Sequence, residues 1–294
     1  NYKDLLILDN LSKPTANKNL SILKKNKITF TKIDIGKSKN KIEELIKKHK
    51  PKVIFHLAGQ VAMSTSIKKP DYDFQGNVLS TINILEGIRK FSKKTILIFS
   101  STNKVYGDLS NFNYVEKRTR FSITKNFKGF SESNTLDFKS PYACSKGSAD
   151  QYVLDYARVF NLNTIVFRHS SVYGGRQFFT YDQGWIGWFC AQAIKHKFLK
   201  KSKFSITGNG KQVRDLVHID DITRLYKLSF KNIKKLKGEA YNIGGGIKNS
   251  LSVIELLNFL EKKLNIKLNY YKIDNRLYDQ KIFISDNKKI YRYL

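Results

Sequence analysis

Two rhythms of apolar and polar residues alternate along the first 170 or so positions. Leu5–Asp9 is a short apolar run and Ile28–Asp34 alternates with period two, both patterns of strands. Lys41–Lys50 repeats its apolar positions at helical spacing and is stopped by Pro51, and Val53–Ala58 is an apolar run ending in small residues. Asp71–Phe91 reads as one long helix, Thr95–Ser100 as a strand, Ser140–Phe160 as a helix and Asn163–His169 as a strand. Strand and helix taken in turn predict an α/β fold: a Rossmann-like, doubly wound parallel sheet with helices on both faces. Beyond about Gly174 the rhythm loosens into a Trp- and Phe-rich helix, Trp185–His196, and short strands. Residues 1–173 are expected to carry the main sheet. Residues 174–294 are expected to form most of a smaller C-terminal α/β lobe, interleaved with the end of that sheet.

Charge complicates the picture, because 54 Lys+Arg against 24 Asp+Glu give a formal net charge of +30. A basic chain invites a nucleic-acid reading. Its lysine pairs, however, are spread from Lys24-Lys25 to Lys262-Lys263 on the wet faces of helices rather than gathered in one patch. No nucleic-acid partner is expected; a basic surface that steers an anionic substrate is. Two cysteines cannot build a disulfide framework, which points to a reducing, cytoplasmic setting. Apolar runs such as Thr95–Phe99 stop far short of the roughly 20 residues that span a bilayer, so no membrane partner is expected. The five histidines lack the spacing of metal ligands, and no metal site is expected.

Candidate chemistry gathers at strand ends. Asp9-Asn10 closes the first strand, where an acidic residue in a dinucleotide-binding sheet bonds the ribose hydroxyls of the cofactor; a plain turn would use the same residues. Ser100-Ser101-Thr102 places hydroxyls at the carboxyl end of an apolar strand, where open α/β sheets bind ligands. Tyr142 and Lys146 follow at the front of a helix, four apart and so on one face. An ammonium beside a phenol favours phenolate, and a lowered Tyr142 pKa is therefore expected, suited to acid–base work. His56 and His218 are read as structural, Cys144 as pointing away from the Tyr142/Lys146 face, Cys190 as packing, and Gly244-Gly245-Gly246 as a strand-end turn.

With these residues the chain resembles the extended short-chain dehydrogenase/reductase family, the NAD-dependent nucleotide-sugar epimerases and dehydratases. The matching segments are His56-Leu57-Ala58-Gly59-Gln60, Gly76–Thr81, Ser100–Gly107, Pro141–Lys146, Phe167–Gly174 and Arg214–Asp221. The resemblance implies bound NAD and a nucleotide-diphosphate sugar substrate. It implies Thr102, Tyr142 and Lys146 as the catalytic set. It also implies a cofactor bed of Asp9, Asn10, Asp34, Ile35, Leu57, Ala58, Gly59, Gln60, Asn77, Ser100, Tyr142, Lys146 and His169. Thr102, Asn103, Ser171, Gln183, Arg214 and Arg276 are the implied substrate contacts. Ser171 stands where many members have Asn, and Trp185 and Trp188 fit a pocket wall and a core equally. Members extend further at both ends, so the chain is expected to be a fragment lacking the first strand and its Gly-x-x-Gly-x-x-Gly turn. Its stability and NAD binding are then expected to be weak without them. Members often dimerise through paired helices, here Asp71–Phe91 and Ser140–Phe160, so a homo-oligomer is a further expectation.

Within the family, Ser100–Gly107, Phe167–Phe178 and Thr180–Trp185 are similar to enzymes that invert carbon 2 of a CDP-linked 3,6-dideoxyhexose. The expected activity is that C2 inversion through a transient 2-keto sugar. Another epimerase of the family, such as a 4-epimerase, remains the alternative, with a non-catalytic dinucleotide- or nucleic-acid-binding protein behind it. Dehydratases of the family carry Thr-Asp-Glu where this chain has Thr102-Asn103-Lys104. Eliminating water needs an acid and a base that Asn103 and Lys104 do not supply.

Overall fold

The computed structural model describes residues 4–13, 15–124, 126–199 and 203–294. The main sheet is four parallel strands: β1 (Val53–His56), β2 (Ile96–Thr102), β3 (Asn163–His169) and β4 (Glu239–Ile243), in spatial order β4-β3-β2-β1. β2 and β3 are buried nearly throughout, because their apolar residues feed both faces alternately. Leu97 and Phe99 face a core with Ile84, Leu85, Ile88 and Val153. Ile96 and Ile98 face the opposite core with Ile222, Tyr226 and Tyr241. Each such side chain, once buried, contributes about 1.5–3 kcal/mol.

The helices covering the first face are α1 (Lys39–His49), α2 (Ser80–Phe91) and α3 (Pro141–Phe160). α1 buries Ile42 and Ile46, four apart, and ends on Lys50 in a left-handed conformation ahead of Pro51. Gly87 lets α1 and α2 close up: a Cβ there would stand 2.6 Å from Ile46 Cδ1. The expected helix 71–91 runs unbroken from Pro70 to Phe91, with a π-turn at Gln75–Leu79 inserted between a short first stretch, Pro70–Phe74, and α2. Such wide turns are frequent at functional sites, and this one carries Asn77.

Leu6–Asp9 and Thr29–Lys32 pair in parallel as a separate two-stranded sheet. A 3-2-1-4-5-6 order puts its strand 1 between Leu6–Asp9 and β1, a place held by no strand among the described residues. The later part of the chain builds α4 (Trp185–Leu199) and α5 (Val253–Leu264), packed with Phe204, Ile206 and Leu268 as a distinct core. α5 opens with a capping box, Ser252 and Glu255. β4 belongs to this later half yet returns to pair with β3, residue for residue from Glu239–Ile165 to Ile243–His169.

Candidate active site

β2 delivers Ser100, Ser101 and Thr102 at its carboxyl end. Thr102 Oγ1 accepts from the backbone N–H of Lys104 at 3.2 Å, which turns the chain sharply and leaves the threonine on the wall of a cavity. α3 starts beside it. Ser140 holds φ at 116°, a strained value outside glycine, and its hydroxyl caps the N–H of Ala143. Tyr142 and Lys146 follow on the inward face, both buried. Lys146 Nζ donates to the carbonyl oxygen of Ser100 at 2.6 Å and stands 4.2 Å from the Phe99 ring centre.

Burial decides the electrostatics. It pushes Lys146 down to about 8, with Asp150 and Asp73 opposing the shift. It pushes Tyr142 up to about 12, eased by a hydrogen bond with Thr102 and reinforced by Asp73. The expected lowering of the Tyr142 pKa by its lysine neighbour is therefore corrected: in the protein alone, desolvation dominates and keeps the phenol neutral.

Two hollows lie near these residues. A cleft of about 140 Å³ is lined by Asp9, Asn10, Asp34, Ile35, Leu57, Ala58, Gly59 and Gln60, joined by Gly36, Tyr72 and Gly76, which the sequence reading missed. Asn10 Nδ2 donates to Asp34 at 3.2 Å, tying the ends of the first two strands together. Asn77 lies under this floor: a Cβ on Gly59 would stand 2.5 Å from its Oδ1, an atom buried without a partner. His169 Nδ1 is likewise buried and unpartnered, while its Nε2 meets Tyr226 OH at 2.9 Å. His169 and Ser100 are not on the wall of either hollow; Ser100 takes part through its carbonyl. A glycine floor, waiting polar atoms and a carboxylate at the strand end fit a dinucleotide.

The second cavity, about 270 Å³, brings Thr102, Asn103, Tyr142, Ser171, Arg214 and Arg276 together. Trp185 and Trp188 serve as wall and as core at once. Gln183 is not on this wall; its Oε1 accepts from Lys13 at 3.0 Å instead. The sequence reading also missed Asp279, which accepts from Lys104 at 3.0 Å and from Arg214 at 2.7 Å. Burial pushes Asp279 up, but Lys104 and Arg214 prevail and hold it at about 2. Arg276 pairs with Asp182 at 3.4 Å. Asp279 belonged to no matching segment, whereas Asp182 lies within Thr180–Trp185 but was not singled out.

The remaining candidates take ordinary structural places. His56 is buried on Thr81 at 3.0 Å, and His218 accepts from the N–H of Asp220 at a helix start. Cys144 is exposed, and Cys190 packs beside Phe189 and Trp188. Gly246 N–H donates to Asp215 and Gly244 N–H to Asn287, so the glycine run is a turn with its donors spent internally. Among the described residues no cluster of metal-ligating side chains occurs, and no helix is long and apolar enough to cross a membrane.

A cleft fit for a dinucleotide, opening beside a buried Tyr/Lys pair at the carboxyl end of a parallel sheet, defines an NAD-dependent enzyme. The chain belongs to the NAD dependent epimerase/dehydratase family, whose profile matches residues 1–244. It is 51% identical over 288 residues to CDP-paratose 2-epimerase of Salmonella typhi, covering 98% of this chain and 85% of that protein. It is 32% identical over 269 residues to a putative UDP-glucose 4-epimerase of Methanocaldococcus jannaschii, covering 91% of this chain and 76% of that one. The crystal structure of UDP-glucose 4-epimerase with UDP-glucose from Thermotoga maritima superposes with a TM-score of 0.79 at 25% identity, over 98% of this chain and 83% of that one.

Proposed function

We infer that this protein is an isomerase that inverts C2 of CDP-paratose to give CDP-tyvelose. The observation that carries the reading is 51% identity over nearly the whole chain to CDP-paratose 2-epimerase, with Thr102 and Tyr142 on one cavity wall and Lys146 bound to the Ser100 carbonyl beside them. Asp9, Asn10, Asp34, Ile35 and the Leu57–Gln60 floor would hold NAD, with Asn77 beneath and Lys146 at its reactive end. NAD supplies, when bound, a reversible hydride acceptor and a cationic ring that favours phenolate.

The chain's own part is proton transfer and position. Tyr142 takes the proton of the C2 hydroxyl as the C–H bond is oxidised, then returns it to the new alcohol. Thr102 donates a hydrogen bond to the same oxygen. Removing a hydride from carbon and a proton from oxygen leaves a 2-keto sugar, and returning the hydride to the opposite face of C2 and the proton to its oxygen completes the inversion with no net oxidation. Arg214 and Arg276 hold the diphosphate while the sugar turns, a task for fixed guanidinium forks. Asn103 and Ser171 border the sugar, and residues 174–294 supply most of the nucleotide side.

Two free cysteines and a nucleotide-linked substrate agree with the cytoplasm. Exposed Phe74 and Leu79, with Tyr152 and Val159 on α3, offer apolar surface for a second copy. The test is incubation of the full chain with NAD and CDP-paratose, followed by proton NMR at C2. Inversion at C4 of UDP-glucose with no change in CDP-paratose would overturn the reading in favour of a 4-epimerase.

A further inference from the structure

We propose that Asp73 is a positioning residue for the Tyr142/Lys146 pair, acting as the buried counter-charge of Lys146 and as the anchor of Ser145, which lies between the two on α3. The inference rests on the epimerase reading of this site.

Asp73 lies in the short helix Pro70–Phe74 and is fully buried. Its carboxylate accepts from three neutral donors: Gln60 Nε2 at 2.6 Å, Asn77 Nδ2 at 3.4 Å, and the hydroxyl of Ser145. Asn77 Nδ2 also donates to Ser145 Oγ at 2.9 Å and to the Gln60 carbonyl at 3.0 Å. One carboxylate thus ties the floor of the cofactor cleft to the catalytic helix. The π-turn that follows keeps Asp73 and Asn77 aimed at the same serine.

A buried carboxylate held only by neutral groups is costly unless a charge nearby answers it. Four charged groups share this interior: Asp73, Lys146, Asp150 and Arg168. Asp150 and Arg168 form a closed pair with two contacts of 2.9 Å, and Asp150 takes further bonds from Ser101 and Gln151. Lys146 makes its hydrogen bond to a neutral carbonyl. Asp150, though paired with Arg168, also favours the Lys146 charge; Asp73 adds to it as the buried carboxylate with no cation of its own, through the field rather than by contact. The other ionisable groups facing this interior are Tyr142 on α3, His56 on β1 and His169 on β3, while Cys144 on α3 is exposed. Burial, with Lys146 adding to it, holds both histidines neutral. Asp73 itself is held above the usual carboxylate range by burial, against the bonds from Ser145, Gln60 and Asn77.

Asp73→Asn keeps the size and removes the charge. The alkaline limb of kcat, set by loss of the Lys146 proton, should move to lower pH. At pH 8, kcat should fall roughly fivefold, approaching tenfold at higher pH, the effect of one pH unit of displacement, with KM for the nucleotide sugar unchanged. Ser145→Ala and Asp73→Glu keep the charge and should keep the limb where it was, even if kcat or the melting temperature drops. A uniform loss at every pH in Asp73→Asn, or a displaced limb in either charged variant, overturns the proposal. Should Asp73→Asn not fold, the two charged variants still decide. NAD affinity followed by calorimetry between about pH 6 and 10 should show the same limb, since Lys146 serves the cofactor too. That measurement needs no sugar. A chain that leaves CDP-paratose unchanged but shows the Asp73-dependent limb in NAD binding refutes the substrate and keeps the inference.

Discussion

Lys146 fastens α3 to β2 by donating to the carbonyl oxygen of Ser100, 2.6 Å away. Because Thr102 lies two residues further along the same strand, hydroxyl, phenol and ammonium are fixed to one rigid junction rather than to separate loops. Tyr142 can then be tested without moving its neighbours, since no backbone contact depends on its hydroxyl. Tyr142→Phe should leave the melting temperature and NAD binding nearly unchanged while kcat falls by roughly two to four orders of magnitude. Wild-type turnover in that variant would remove Tyr142 from the mechanism.

A hydride that leaves and returns within one active site carries its isotope with it. CDP-paratose deuterated at C2 should give CDP-tyvelose with the label still at C2 and no NADH released, read by mass spectrometry and absorbance. Exchange of the label with water would require a base acting on carbon, and the cavity wall would have to supply it.

Gly59 has no room for a side chain above Asn77 Oδ1, 2.5 Å from where a Cβ would stand. Gly59→Ala should push the cleft floor outward and weaken NAD binding at least tenfold, about 1.4 kcal/mol, with a smaller loss of thermal stability. Titration of NAD by calorimetry decides; equal affinity in the variant would place the dinucleotide elsewhere.

Acid should unfold this protein early. Burial and the nearby Lys146 push both His56 and His169 down to about 3, against an ordinary value of 6.5. Between those values the unfolded chain binds two protons that the folded chain refuses. Stability is therefore whole above pH 6.5 and falls as pH drops, by ~3 kcal/mol per pH unit for the pair. Urea melts over that range should show the slope halved in His56→Gln. An unchanged slope would mean that His56 accepts a proton in the folded state.

The parallel sheet was legible because β2 and β3 are apolar runs that admit no other placement, and Tyr142 and Lys146 because helical spacing puts them on one face. The π-turn at 75–79 was not, since a single wide turn leaves the apolar pattern of 71–91 intact. Asp73 and Asp279 escaped notice for a related reason: a carboxylate gains its role from donors such as Ser145 or Lys104 that lie far off in the chain. Gln183 sits beside residues that line the cavity but turns the other way, toward Lys13, and sequence position carries no sign of that choice. The Tyr142 pKa went astray because adjacency of a charge is visible in a sequence and depth of burial is not.

Asn103 donates to Gln280 at 2.9 Å across 177 positions of chain. The cleft walls come from residues between Asp9 and Ser80, whereas the cavity walls run on to Asp279. On a ribosome adding roughly 5–20 residues each second, the stretch that beds the dinucleotide emerges many seconds before the stretch that closes over the sugar. The two halves of the site thus differ in age within each molecule. A truncated translation product would have everything that lines the first cleft and lack the far wall of the second cavity.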